Sequence, residues 1–70
     1  MEIIDARGYS CPKPVMMLMK KIKGTEQREC AILVDNETAK ENVCRTAEAR
    51  GWVVKSVNQE DIVYNIVLAK

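Results

Sequence analysis

Glu29-Cys30-Ala31-Ile32-Leu33-Val34-Asp35-Asn36-Glu37 decides the fold. Ala31 to Val34 is apolar without alternation, so a strand here has both faces covered, the pattern of a buried, parallel-paired strand. Asp35 and Asn36 then offer short side chains that accept the unpaired N–H groups of a helix start. Glu37 adds an acid in the first turn, where the helix dipole favours one. Ala39, Val43 and Ala47 mark the inner face of a helix running to about Arg50, and Gly51 stops it.

Upstream, Glu2–Ala6 reads as a short strand and Arg7-Gly8-Tyr9-Ser10 as a tight connection, with Gly8 free to take a positive φ. From Pro12 the apolar residues Val15, Leu18, Met19 and Ile22 recur at helical spacing. Lys20, Lys21 and Lys23 suit the last turn of that helix, and Gly24 its C-terminal cap. Downstream, Trp52–Val57 and Ile62–Leu68 read as strands joined by a polar turn, Asn58-Gln59-Glu60-Asp61. The order is β-α-β-α-β-β. The right-handed crossover rule makes the first two strands parallel. The expected fold is α+β, a two-layer α/β sandwich with a four-stranded mixed sheet and two helices on one face. It forms a single domain, residues 1–70. Both helices then begin at one edge, which brings the Asn36 turn near Cys11. Val53, Val57, Val63 and Val67 put apolar surface on the opposite sheet face or on the helix side. An uncovered apolar face is a candidate docking surface.

The chain is 47% hydrophobic and 30% charged, which excludes disorder. A net charge of +1 points to neither nucleic acid nor an anionic membrane as a partner. No apolar stretch is long enough to span a bilayer. Met-Glu-Ile-Ile-Asp does not read as a signal peptide. Cys11, Cys30 and Cys44 are widely spaced, form no CxxC pair and have no histidine to join them. A structural zinc site and a disulfide scaffold are therefore not expected, nor is any other cofactor. The expected compartment is the reducing cytoplasm.

The chemistry centres on Cys11 in Ser10-Cys11-Pro12-Lys13-Pro14. Pro12 fits the first helical position, and Pro14 still lies in the first turn, where a missing N–H costs nothing. Cys11 then caps the helix, with its sulfur facing unpaired N–H groups at the positive dipole end. Such a setting lowers a thiol pKa and yields a nucleophilic thiolate. The alternative is a small residue filling a helix start. Cys30 and Cys44 read as packing residues. Asp5 reads as a loop anchor that accepts backbone N–H bonds. Arg7 and Lys13 divide between solvated surface charge and positive charge beside the sulfur. Asp35 and Asn36 read as caps, Trp52 as core at a strand start. Met16, Met17 and Met19 read as core or adaptable surface, with Met16 and Met17 placed to flank a docking groove.

The stretch Asp5-Ala6-Arg7-Gly8-Tyr9-Ser10-Cys11-Pro12-Lys13-Pro14-Val15 resembles the signature of the TusA/SirA/YedF family of small sulfur-handling proteins. That signature is a strand ending in Asp, an Arg-Gly turn and Cys-Pro-x-Pro near the start of a domain of this length. The segment Val34-Asp35-Asn36-Glu37-Thr38-Ala39-Lys40-Glu41-Asn42-Val43 is more similar to the YedF branch, which is associated with selenium or sulfur metabolism. The resemblance implies the same sandwich and a sulfurtransferase-type carrier. On this reading Cys11 holds a sulfane sulfur as a persulfide, and Asp5, Arg7, Gly8, Pro12, Lys13 and Pro14 shape its site. It implies a protein donor, a cysteine desulfurase or rhodanese-like enzyme, and a protein acceptor. Thiolate attack needs no histidine base where the helix end already favours ionisation.

Three rivals remain. A redox-sensing thiol needs a resolving cysteine, for which Cys44 is the candidate. A non-catalytic regulatory or protein-binding module needs no reactive thiol, and its RNA-binding form lacks exposed aromatic platforms. A selenium-metabolism accessory domain is the third.

Overall fold

The computed structural model describes residues 2–9, 13–23 and 28–70. Its elements are β1 (Glu2–Asp5), α1 (Lys13–Lys23), β2 (Glu29–Val34), α2 (Glu37–Ala49), β3 (Val53–Glu60) and β4 (Val63–Ala69). They form one four-stranded sheet in the order β1-β2-β4-β3. β1 and β2 are parallel, and β4 runs antiparallel to both β2 and β3. The fold is the expected α+β sandwich. β2 is an interior strand between β1 and β4, but helices cover only its Cys30, Ile32 and Val34 face; Ala31 and Leu33 lie on the opposite, helix-free face, so the expectation that both faces are covered holds for one of them.

Ile4, Ile32, Val34, Ile66 and Leu68 project from one sheet face into a core with Leu18 of α1 and Ala39, Val43 and Ala47 of α2. Both helices therefore cover the same face. Leu18 is fully buried, which is worth about 1.5–3 kcal/mol for a side chain of its size. Cys30 is buried in this core, and Trp52 closes it at 4% exposure. The inner face of α1 differs from the expected one by a residue. Met17 packs against the core with Val15 and Ile22, whereas Met19 is half-buried outside it. Met16 stands exposed.

α2 starts as its sequence directs. Asn36 is extended, and its Oδ1 accepts the N–H of Ala39 at 2.7 Å. At the other end Gly51 takes φ +85°, which ends the helix, and the Trp52 N–H bonds to the carbonyl of Ala47 at 2.9 Å. The proposed cap at Gly24 lies outside the described residues.

The hairpin departs from expectation. Asn58, Gln59 and Glu60 continue β3, and the loop is only Asp61 and Ile62, flanked by the Glu60–Val63 pair. The polar run is the exposed edge of the sheet, where side chains need no apolar character. Asp61 takes φ +58°, the left-handed turn that Asp tolerates, and so sets a two-residue loop. The four valines also do not share a face. A bulge at Lys55, between Val54 and Ser56, shifts the alternation, so Val57 opposes buried Ile66 on the helix side. Val53, Val63 and Val67 lie on the open face with Ile3, Ala31 and Leu33. The Lys55 Nζ reaches across to Glu29 Oε2 at 3.3 Å.

Candidate functional site

The site begins where β1 ends. The Tyr9 N–H bonds back to the Ala6 carbonyl at 3.4 Å, closing a turn around Arg7 and Gly8. Gly8 has φ +85°, the conformation for which glycine is favoured. Asp5 braces this turn. Its Oδ1 accepts the Arg7 backbone N–H at 3.2 Å and Nε–H at 2.9 Å, and its Oδ2 accepts Nη2–H at 2.8 Å. The two-pronged hydrogen bonding to Arg7 holds the Asp5 carboxyl down at about 2 and pushes the guanidinium up. Asp5 is thus the loop anchor expected of it. Arg7 is committed to Asp5, so its charge is compensated locally.

A second anchor comes from the other crossover. The Gly8 N–H donates to Asp35 Oδ2 at 2.7 Å. This bond ties the β1–α1 loop to the start of α2, which realises the expectation that both helices begin at one edge. It also corrects the reading of Asp35 as a helix cap: Asn36 caps, and the Asp35 carboxylate pins the loop. Three further features went unread. Tyr9 lies under Lys13, whose Nζ is 5.9 Å from the ring centroid. Ile62, from the β3–β4 tip, is 63% exposed. With Asp5, Arg7, Gly8, Tyr9, Asp35 and Val63 it lines a shallow depression of about 530 Å³. The sequence signal for Ile62 was only the turn-tolerant Asp61 before it.

Of the site residues read from sequence, Asp5, Arg7, Gly8, Lys13 and buried Pro14 are described at this end of the domain. Cys11 and Pro12, and with them the helix-cap reading, lie outside the described residues. The described residues of α1 run from Lys13 to Lys23. Cys44, the rival resolving thiol, sits half-buried on α2, and burial pushes its thiol pKa up. Among the described residues no group of acidic or cysteine side chains is arranged to hold a metal ion.

The family model of Sulfurtransferase TusA matches residues 2–70. The chain belongs to the TusA family. A candidate sulfur carrier protein of Archaeoglobus fulgidus is 30% identical, across the whole of this chain and 97% of its own length. A second candidate sulfur carrier protein, from Methanocaldococcus jannaschii, is 31% identical over the whole chain and 95% of its length. The crystal structure of a SirA-like protein from Desulfitobacterium hafniense superposes with a TM-score of 0.87 at 27% identity, covering 99% of this chain and 96% of that one. The fold is therefore that of a TusA/SirA domain from end to end. Within this TusA-family chain, the braced Asp5–Tyr9 turn leads directly into the Cys-Pro-Lys-Pro segment. No described helix is long and apolar enough to cross a membrane.

Proposed function

We propose that this protein is a sulfur carrier that holds sulfane sulfur as a persulfide on Cys11 and relays it between partner proteins. The observation that carries the reading is the match of the TusA family over residues 2–70, with Cys11 in Cys-Pro-Lys-Pro. Two carboxylates, Asp5 and Asp35, fix the turn that precedes this segment. The Cys11 thiolate attacks the outer sulfur of a donor persulfide. A new S–S bond forms at Cys11, and the donor cysteine leaves as a thiolate. An acceptor thiolate then attacks the sulfur carried on Cys11, which returns to its own thiolate. The donor is a cysteine desulfurase or rhodanese-like protein and the acceptor a second protein, in a reducing, cytoplasmic setting. Exposed Tyr9, Ile62 and the depression beside them give such partners a surface to approach.

The test is loading from a cysteine desulfurase with isotopically labelled cysteine, followed by peptide mass spectrometry. One added sulfur on the Cys11 peptide is expected, and none in Cys11→Ser. Full label in Cys11→Ser would sink the assignment. So would label on Cys30 or Cys44 in the unaltered protein.

A further inference from the structure

The opposite end of the domain carries a second feature that the sulfur chemistry does not use. α1 is 11 residues long, so its ends are about 15 Å apart. At its C-terminal end a groove of about 500 Å³ opens between the two helices and the end of β4. Its rim carries four exposed cations: Lys20 and Lys23 from α1, Arg50 at the end of α2, and Lys70 after β4. Its apolar lining comes from half-buried Met19 and Ile22, with the largely buried Trp52 beside them. Among the described residues that line it, none is acidic. Helix dipoles account for cations at Lys20, Lys23 and Arg50. They do not account for Lys70, at the end of a strand, or for the apolar side chains that share the groove with these cations.

We propose that this groove binds an acidic segment of a partner protein in which carboxylates flank an apolar side chain. The four cations select the charge, and Met19, Ile22 and Trp52 receive the apolar group. Nucleic acid fits less well. Trp52 is 4% exposed and offers no face for base stacking. Both helices also end here, and their carbonyl ends disfavour a phosphate close to the backbone. Long lysine side chains reach past those carbonyls to carboxylates further out. The inference is independent of any role of Cys11.

Trp52 is the sole tryptophan of the chain, so the groove contains its own reporter. The experiment uses the 70-residue chain carrying Cys11→Ser, which separates binding from sulfur relay. The probe is the blocked peptide Glu-Asp-Leu-Glu-Asp-Leu-Glu, followed by Trp52 fluorescence and by amide NMR shifts. Saturable changes confined to Ile22, Lys23, Gly51, Trp52 and their neighbours are expected. Lys20→Gln/Arg50→Gln, checked to melt with the parent, weakens binding at least tenfold. Raising salt weakens it further. The peptide with Gln and Asn for its acids binds at least tenfold more weakly, and the one with Ser for its leucines binds severalfold more weakly. Any one of four results overturns the proposal: no saturation up to millimolar peptide, affinity unchanged in the double variant, equal affinity for the Ser peptide, or tighter binding of a single-stranded oligouridine of the same length.

Discussion

Asp35→Ala isolates the bond that joins the two crossovers. The Gly8 N–H meets Asp35 Oδ2 at 2.7 Å, a charge-assisted contact. Hydrogen bonds to charged groups contribute about 1.5–3 kcal/mol, and the exposure of this one lowers its worth to about 1 kcal/mol. A loss of that size lowers the melting temperature of a domain this small by about 4–8 °C. Locally it raises hydrogen exchange of the Gly8 amide about fivefold, because that amide then opens more easily. Asp35→Asn keeps an acceptor but loses the charge, so it gives roughly half the free-energy effect. The assay is amide exchange by NMR with thermal melting of the same samples. The location of the change is decisive. If Asp35 served instead as a cap, exchange would rise at residues 38–40 of α2. Unaltered exchange at Gly8 in Asp35→Ala, with lost protection at those residues, would refute the reasoning. For the relay proposed on Cys11, the expected consequence is that freeing the turn slows sulfur loading severalfold without changing the residue loaded.

Asn36→Ala removes the cap on the Ala39 N–H and costs about 1 kcal/mol, read by urea unfolding with an unchanged slope; a stability equal to the parent's excludes the cap. Asp5 titrates near 2 in the folded protein against an ordinary 3.8, so its contribution is complete well above pH 4 and is lost as the pH falls through 2. NMR of the Asp5 carboxyl carbon checks this, and a midpoint at 3.8 or above contradicts the Arg7 brace. Cys44, its pKa raised by burial, alkylates more slowly at pH 7 than an unfolded control; equal rates in folded and urea-unfolded Cys11→Ser protein would argue against that environment.

The sequence made the framework legible because its strongest signals are local. The apolar run at Ala31–Val34, the Asn36 cap and the Ala39, Val43, Ala47 spacing each report one element, and each stands where expected. What escaped depended on partners distant in the chain. Asp35 looks like a cap until Gly8, 27 residues away in sequence, is seen to donate to it. Asn58-Gln59-Glu60 looks like a loop because edge strands face solvent and need no apolar residues. Val57 sits on the helix side because one extra residue at Lys55 reverses an alternation that is otherwise strictly two-fold. The groove escaped for the same reason. Lys20, Lys23, Arg50 and Lys70 come from three elements, and the net charge of +1 conceals their convergence.

The parallel pairing of β1 with β2 has an electrostatic consequence that reaches both ends of the molecule. Each of these strands is followed by a helix on the same sheet face, so the two helices point the same way. Their positive dipole ends lie beside the bonded Gly8–Asp35 crossovers, and their negative ends beside the groove. An anion is favoured near the first end without any added cation, which matters because Arg7 is already spent on Asp5. At the second end the negative dipole ends disfavour an anion, and the projecting cations reverse the sign. The same 70-residue fold thus turns its backbone dipoles toward the Gly8–Asp35 crossovers at one end, and offers a broad acidic segment the side-chain cations of the groove at the other. Salt separates the two. Added electrolyte screens exposed lysines and arginines strongly and acts less on a carboxylate in direct hydrogen-bond contact with a backbone N–H. Binding at the groove should therefore fall steeply with ionic strength, while the Gly8–Asp35 bond, read by exchange of the Gly8 amide, changes less.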